Sequence, residues 1–201
     1  MKPIDDYNFR EICEKTVKME IPEALKTLLD NSEYMVAVGY IDSEHGISFQ
    51  VVGVINEDKV SAFTKRKLTL RYDSSYVLEP FGLEQLSPDM TVTVSSIISS
   101  ARNSVSPMAI TFRCMDILDP YRDNKYPDDI IVPSYSDPPK LDTHSIWMKP
   151  DRIEDEMIIA KAIEKRDTIS VGDEMCILPK DDGYIAMSYS LYKAMEERGV
   201  V

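Results

Sequence analysis

The chain has 201 residues, 43% of them hydrophobic, and a formal net charge of −12. That length suits one large domain or a domain with a small appendage, and the apolar content is enough for a sizeable core. The acidic balance argues against direct nucleic-acid binding, because phosphates must be neutralised by Lys and Arg.

No apolar run approaches the roughly eighteen residues a membrane helix requires, so no membrane partner is expected. The opening MKPIDDYNF lacks the apolar stretch of a secretory signal. Cys13, Cys114 and Cys176 lie far apart with no CxxC pair, which fits reduced thiols better than a disulfide framework. The expectation is a soluble cytoplasmic protein.

In chain order, Asp5 or Asp6 can cap a first helix, with Phe9, Ile12, Cys13, Thr16 and Val17 on one face. Pro22 restarts the pattern, and Ala24, Leu25, Leu28 and Leu29 form a second apolar stripe ending at Asn31-Ser32. Two dense β-forming runs follow at 34–41 and 47–55, separated by the turn-like DSEHG. NED at 56–58 leads into a third strand over 59–72. There Leu68, Leu70 and Tyr72 alternate with Lys67, Thr69 and Arg71, giving one apolar and one basic face. Such short links predict an antiparallel meander.

Residues 23–70, with ALKTLLDNSEYMVAVGYI and then VSAFTKRKL, resemble the N-terminal domain of the enhanced-serine-sensitivity family of bacterial proteins. In that family a leucine-rich helix precedes strands and an FTS-like segment; here Lys65 stands where the pattern has serine. The resemblance implies no activity.

The next element is ambiguous. Ser87-Pro88-Asp89 is a good helix start, with Met90, Val94, Ile97, Ile98 and Ala101 on one helical face. Against this, TVTVSSII also alternates like a β-branched strand; helix is favoured. Residues 108–118 read as a strand. The run DPYRDNKYPDDIIVPSYSDPPKLD at 119–142 is too rich in proline for a regular helix or central strand. Connections of that length are usually functional loops, arms or linkers. Between Asp116 and Glu156 the chain holds eleven acidic and five basic side chains. Ile130–Val132 is expected to tuck into the core as the segment wraps the sheet.

Pro150 and Asp151 predict a helix burying Ile153, Met157, Ala160 and Ile163. Residues 174–178 and 184–188 flank PKDDG, a hairpin signal. A last helix carries Leu191, Tyr192 and Met195, with Gly199 at its C-cap. The fold class is therefore α+β: a mainly antiparallel sheet with flanking helices, a long Pro/Tyr/Asp-rich loop and a C-terminal hairpin plus helix. It divides into a core domain (1–118), the acidic connecting segment (119–142) and a smaller part (143–201) that can pack on the same core.

Chemistry finds little support. His45 sits in a turn, where a polar residue is expected. His144 has Asp142 two residues before it, and a Cys-His site with Cys114 would need a thiol that the strand reading buries as a small hydrophobe. DDG at 181–183 lacks the alternate acidic residues of a calcium loop. Glu154, Asp155 and Glu156 read as a solvated first helical turn, and no zinc or phosphate-loop pattern occurs. No catalytic residue, metal or other cofactor is expected, and the chain reads as non-enzymatic.

Two features point to binding. Tyr121, Tyr126, Tyr135 and nearby Trp147 are aromatic anchors of the kind found at interface hot spots, and fit a protein partner. Lys65, Arg66, Lys67 and Arg71 form a basic stretch in an acidic chain. With Lys65, Lys67 and Arg71 on one strand face, it would suit a small anionic ligand such as a nucleotide. The same lysines also suit a protected sheet edge.

Overall fold

The computed structural model describes residues 1–57, 59–135, 144–180 and 183–200. The chain forms two compact units, Met1–Val105 with Asn124–Pro127, and Ser106–Asp123 with Asp128–Val201.

The first unit is a seven-stranded antiparallel sheet. Its strands are β1 (Lys2–Pro3), β2 (Thr16–Glu20), β3 (Tyr34–Asp42), β4 (Gly46–Asn56), β5 (Lys59–Ala62), β6 (Thr69–Arg71) and β7 (Val77–Pro80). Spatial order is β1-β7-β2-β3-β4-β5, with β6 also on β4. Along β3 the side chains alternate between two cores. Met35 and Ala37 join Phe49, Met19 and Leu78 on one face, while Val36 and Val38 meet the helix α2 (Pro88–Asn103) on the other. Against β3, Val36 pairs with Gly53 and Ala37 with Val51, so Val52 is the extra residue of a bulge. The bulge shifts the alternation of β4 by one residue. Ile47, Phe49 and Val51 therefore share a core with Val54, whereas a regular strand would put Gly53 on that face.

α2 matches its expected start and face: Ser87 Oγ accepts from the Met90 N–H, and Met90, Val94 and Ile97 are buried. Gly39 is required by close approach, since a Cβ there would collide with the Ile12 carbonyl.

Several local expectations are corrected. The first helix, α1, covers only Phe9–Ile12; Glu14 takes a left-handed φ of 58°, and the β-branched pair Thr16-Val17 enters β2. Residues Glu23–Leu25 form one 3-10 turn, not a longer helix, although Leu29 beyond it is fully buried. The single strand expected over 59–72 is two strands, β5 and β6, joined by an excursion.

The second unit is a closed five-stranded barrel of β8 (Ile130–Ser134), β9 (His144–Glu154), β10 (Met157–Ala162), β11 (Glu174–Lys180) and β12 (Gly183–Ser188), in the order β10-β11-β12-β8-β9. The barrel is absent from the sequence-based expectation, and its closure rests on a parallel contact, Ala186 against Ser134. An odd number of strands in a meander makes the first and last run the same way, so one parallel pair is unavoidable. Ile130, Val132, Ile146, Met148, Ile158, Ala160, Met175, Ile177 and Ala186 fill the interior. A second cluster, Met157, Ile159, Cys176 and Met187, is covered from outside by Tyr135, Tyr189, Tyr192 and Met195, the last three on α4 (Tyr189–Glu197).

Two elements differ in type from expectation. Residues 108–118 are α3 (Pro107–Arg113) followed by a 3-10 turn at Asp116–Tyr121. Ser106-Pro107 repeats the cap-then-proline start of Ser87-Pro88, and Ser106 Oγ accepts from the Ala109 N–H. The helix expected after Pro150 is the β9–β10 hairpin, turning through Asp155 and Glu156 with φ of 48° and 67°. Both turn residues are left-handed, as a tight hairpin requires, but neither is the usual Asn or Gly. Ile130 and Val132 are fully buried, as the wrapping of the acidic segment predicts, but as a barrel strand. The C-terminal hairpin strands and helix are as expected; Asp58, residues 136–143, Asp181, Asp182 and Val201 lie outside the described residues.

Candidate functional site

The basic stretch is not one strand face. The Phe63 N–H donates to the Val52 carbonyl and the Val51 N–H to the Leu68 carbonyl, so Thr64, Lys65, Arg66 and Lys67 leave the ladder as an exposed excursion. β4 is itself bulged at this level, and among the described residues the edge strand has no outer neighbour to hold it in register. Lys65 Nζ pairs with Asp30 at 2.5 Å. Arg71 Nη1 lies 3.3 Å from Asp42 and donates to Ser48 Oγ at 3.1 Å. Arg66 and Lys67 are exposed and have no ion pair among the described residues.

Asp42 organises the β3–β4 turn. Its Oδ1 accepts from the Glu44 and His45 N–H groups and lies 3.0 Å from His45 Nδ1. Burial works against its ionisation, yet the Glu44 N–H, His45 and Arg71 outweigh it and hold the carboxyl down at about 2. An aspartate that orients a histidine is half of a catalytic relay. No hydroxyl or thiol is bonded to His45 among the described residues, so the pair works as a turn clamp.

The aromatic candidates separate. Tyr121 stacks edge-on with Tyr184 at 5.9 Å between ring centroids, and its hydroxyl accepts from the Tyr184 N–H. Gly183, at φ 140°, leaves room for that hydroxyl; a Cβ there would strike it. Tyr135 packs in the outer barrel cluster beside α4. Trp147 stands half-buried on the outer wall of the barrel, paired across strands with Ile131. Tyr126 belongs to the first unit, against Gly46, with Lys125 Nζ 5.1 Å from its ring.

The acidic segment is tied down by nearby arginines. Arg113 holds Asp128 through two bonds of 2.7 Å, and Arg122 holds Asp119 at 2.9 Å while donating to the Phe112 carbonyl. Burial pushes the Asp129 carboxyl up from its ordinary range. Sequence reasoning misses the Arg113–Asp128 pair, because a strand over 108–118 does not bring Arg113 beside the acids.

Cys114 caps α3 and is exposed, correcting its assignment to a buried strand position. Cys176 is buried, which pushes its thiol up to about 11. His144 opens β9, where its carbonyl accepts from Ser134 Oγ at 2.7 Å. Among the described residues no group of three or more His, Cys, Asp or Glu side chains is placed to hold a metal. None of the helices there is long and apolar enough to cross a membrane.

No family model, curated protein or solved structure matches the chain. The likeness of residues 23–70 to the enhanced-serine-sensitivity family therefore assigns no residue a role.

Proposed function

We propose that the chain is a non-enzymatic module that binds another protein through the acidic Tyr/Pro-rich segment 119–142 and the barrel wall beside it. The observation that supports this reading most is the cross-strand pair of Ile131 on β8, inside the segment, and Trp147 on β9, half-buried on the outer wall of the barrel. Truncating such an anchor is typically costly at an interface. The Arg113–Asp128 and Arg122–Asp119 pairs add to it by fixing part of the segment beforehand, which lowers the entropy lost on docking. Tyr121 and Tyr135 are occupied with internal packing, which leaves Trp147 as the anchor on the barrel.

Deleting the whole segment is not a clean test, because it removes β8 from the barrel. The test is Trp147→Ala, compared with the wild type in affinity capture at equal loading and matched thermal stability. Loss of a stoichiometric protein with the variant alone supports the reading; equal recovery by both overturns it.

A second reading is a small anionic ligand at the excursion, favoured by the exposed Arg66 and Lys67, which have no ion pair among the described residues. Lys65 and Arg71 contribute less, since Asp30 and Asp42 already neutralise them. Native mass spectrometry separates the readings: a retained mass of a few hundred daltons, lost in Arg66→Glu with Lys67→Glu, would favour the anion.

A further inference from the structure

Among the described residues the sheet of the first unit ends at β5, with no strand paired beyond it. Lys59, Ser61 and Ala62 are exposed, while Val60 packs toward α2. The direction of the backbone groups follows from the register. Because the Phe63 N–H bonds the Val52 carbonyl, alternation turns Ser61 and Lys59 toward β4 and turns Val60 and Ala62 outward. The N–H and C=O of Val60 and Ala62 thus face away from the sheet, with no partner among the described residues. Past Ala62 the excursion presents Arg66 and Lys67, and Lys59 stands at the other end of the strand.

We propose that this edge docks an extended acidic segment of another protein, added to β5 as a further strand. Outward backbone groups supply the ladder, and the flanking cations supply selectivity for acidic side chains. A second copy of the chain is the less favoured occupant: pairing two β5 edges would set Lys59, Arg66 and Lys67 of each against the other. The four-residue excursion stops the ladder beyond Phe63, so the docked strand is short and charge carries much of its attraction. Edge lysines and bulges also discourage promiscuous pairing. Here they block one half of the edge and leave β5 accessible. The site is distinct from Trp147, so the two assignments fail independently.

The probe is a synthetic peptide of alternating glutamate and valine, blocked at both ends, followed by amide NMR. Binding should perturb and protect the Val60 and Ala62 N–H groups and weaken as salt screens the charges. Ala62→Pro removes an outward donor and no ladder bond to β4, so it should fold and lose affinity by about tenfold or more. Arg66→Glu with Lys67→Glu should also weaken binding, and Trp147→Ala should leave it unchanged. A peptide N-methylated at alternate residues keeps its charge and loses its ladder donors, and should not bind; this arm does not depend on any variant folding. Absence of binding at millimolar peptide, or equal binding of the methylated peptide, would overturn strand addition.

Discussion

The barrel and the sheet meet the same requirement in opposite ways. Every β-strand leaves backbone donors and acceptors on each side, and a sheet must pair them, cover them or leave them in water. The barrel pairs them by bringing β12 back to β8, where the Tyr135 N–H donates to the Ala186 carbonyl at 3.0 Å. The sheet stops instead, at two-residue β1 on one side and at β5 and β6 on the other. The closed unit keeps its backbone to itself and offers side chains such as Trp147. The open unit offers backbone. The two proposed surfaces therefore rest on chemically different contacts, a side-chain anchor in one and a backbone edge in the other.

The contrast can be broken first in the cores. Phe49→Ala in the sheet should cost about 3–5 kcal/mol and Ile146→Ala in the barrel about 2–5 kcal/mol, both residues being fully buried. The single tryptophan lies in a barrel strand, so its fluorescence during urea unfolding reports that unit, while far-ultraviolet dichroism reports both. Ile146→Ala should move the fluorescence midpoint strongly and Phe49→Ala should move it little. Equal shifts would mean the two cores unfold as one.

Next comes the tie between α3 and the acidic segment. Arg113 and Asp128 are both largely buried, with side-chain exposures of 14% and 15%. Arg113→Ala strands the carboxylate and should cost about 2–3 kcal/mol, read from the same fluorescence midpoint. A loss below about 0.5 kcal/mol would make the pair decorative.

On the sheet side, Asp42→Asn should cost about 1–2 kcal/mol at neutral pH. The Asp42 carboxyl is depressed to about 2 in the folded state, below its ordinary value. Its contribution is therefore present above that ordinary value and is lost as pH falls through about 2. Wild type and variant should converge in stability in strong acid; a gap that stays constant with pH would contradict the ionic account. The smallest effect belongs to Lys65→Ala. Lys65 and Asp30 are both exposed, so thermal stability should change by less than about 1 kcal/mol.

How much of this was legible in the sequence depended on how local the cause was. β3 and β4 are legible as dense β-forming runs and the C-terminal hairpin from its turn residues, while at α2 the cap and the proline at the first helical position outweigh a competing strand-like alternation. Ser106-Pro107 carries the same kind of start signal, yet residues 108–118, expected as a strand, are α3 and a 3-10 turn. The β9–β10 hairpin was hidden because Asp155 and Glu156 adopt left-handed φ without the customary Asn or Gly. Closure of the barrel was out of reach, since Ser134 and Ala186 are far apart in the chain and no local pattern encodes their pairing. The candidate sites fared similarly. The basic residues and aromatics could be named, but not that Lys65 and Arg71 are already paired, or that Tyr121 and Tyr135 are engaged in packing.

The most direct test of the open-edge and closed-barrel contrast is residue-resolved amide hydrogen exchange on the free protein. The account predicts slow exchange along β9, β10 and β11, slow exchange at Ser61, and fast exchange at Val60 and Ala62, its immediate neighbours. If Val60 and Ala62 are protected as strongly as Ser61, something covers the edge and the docking surface assigned to it does not exist.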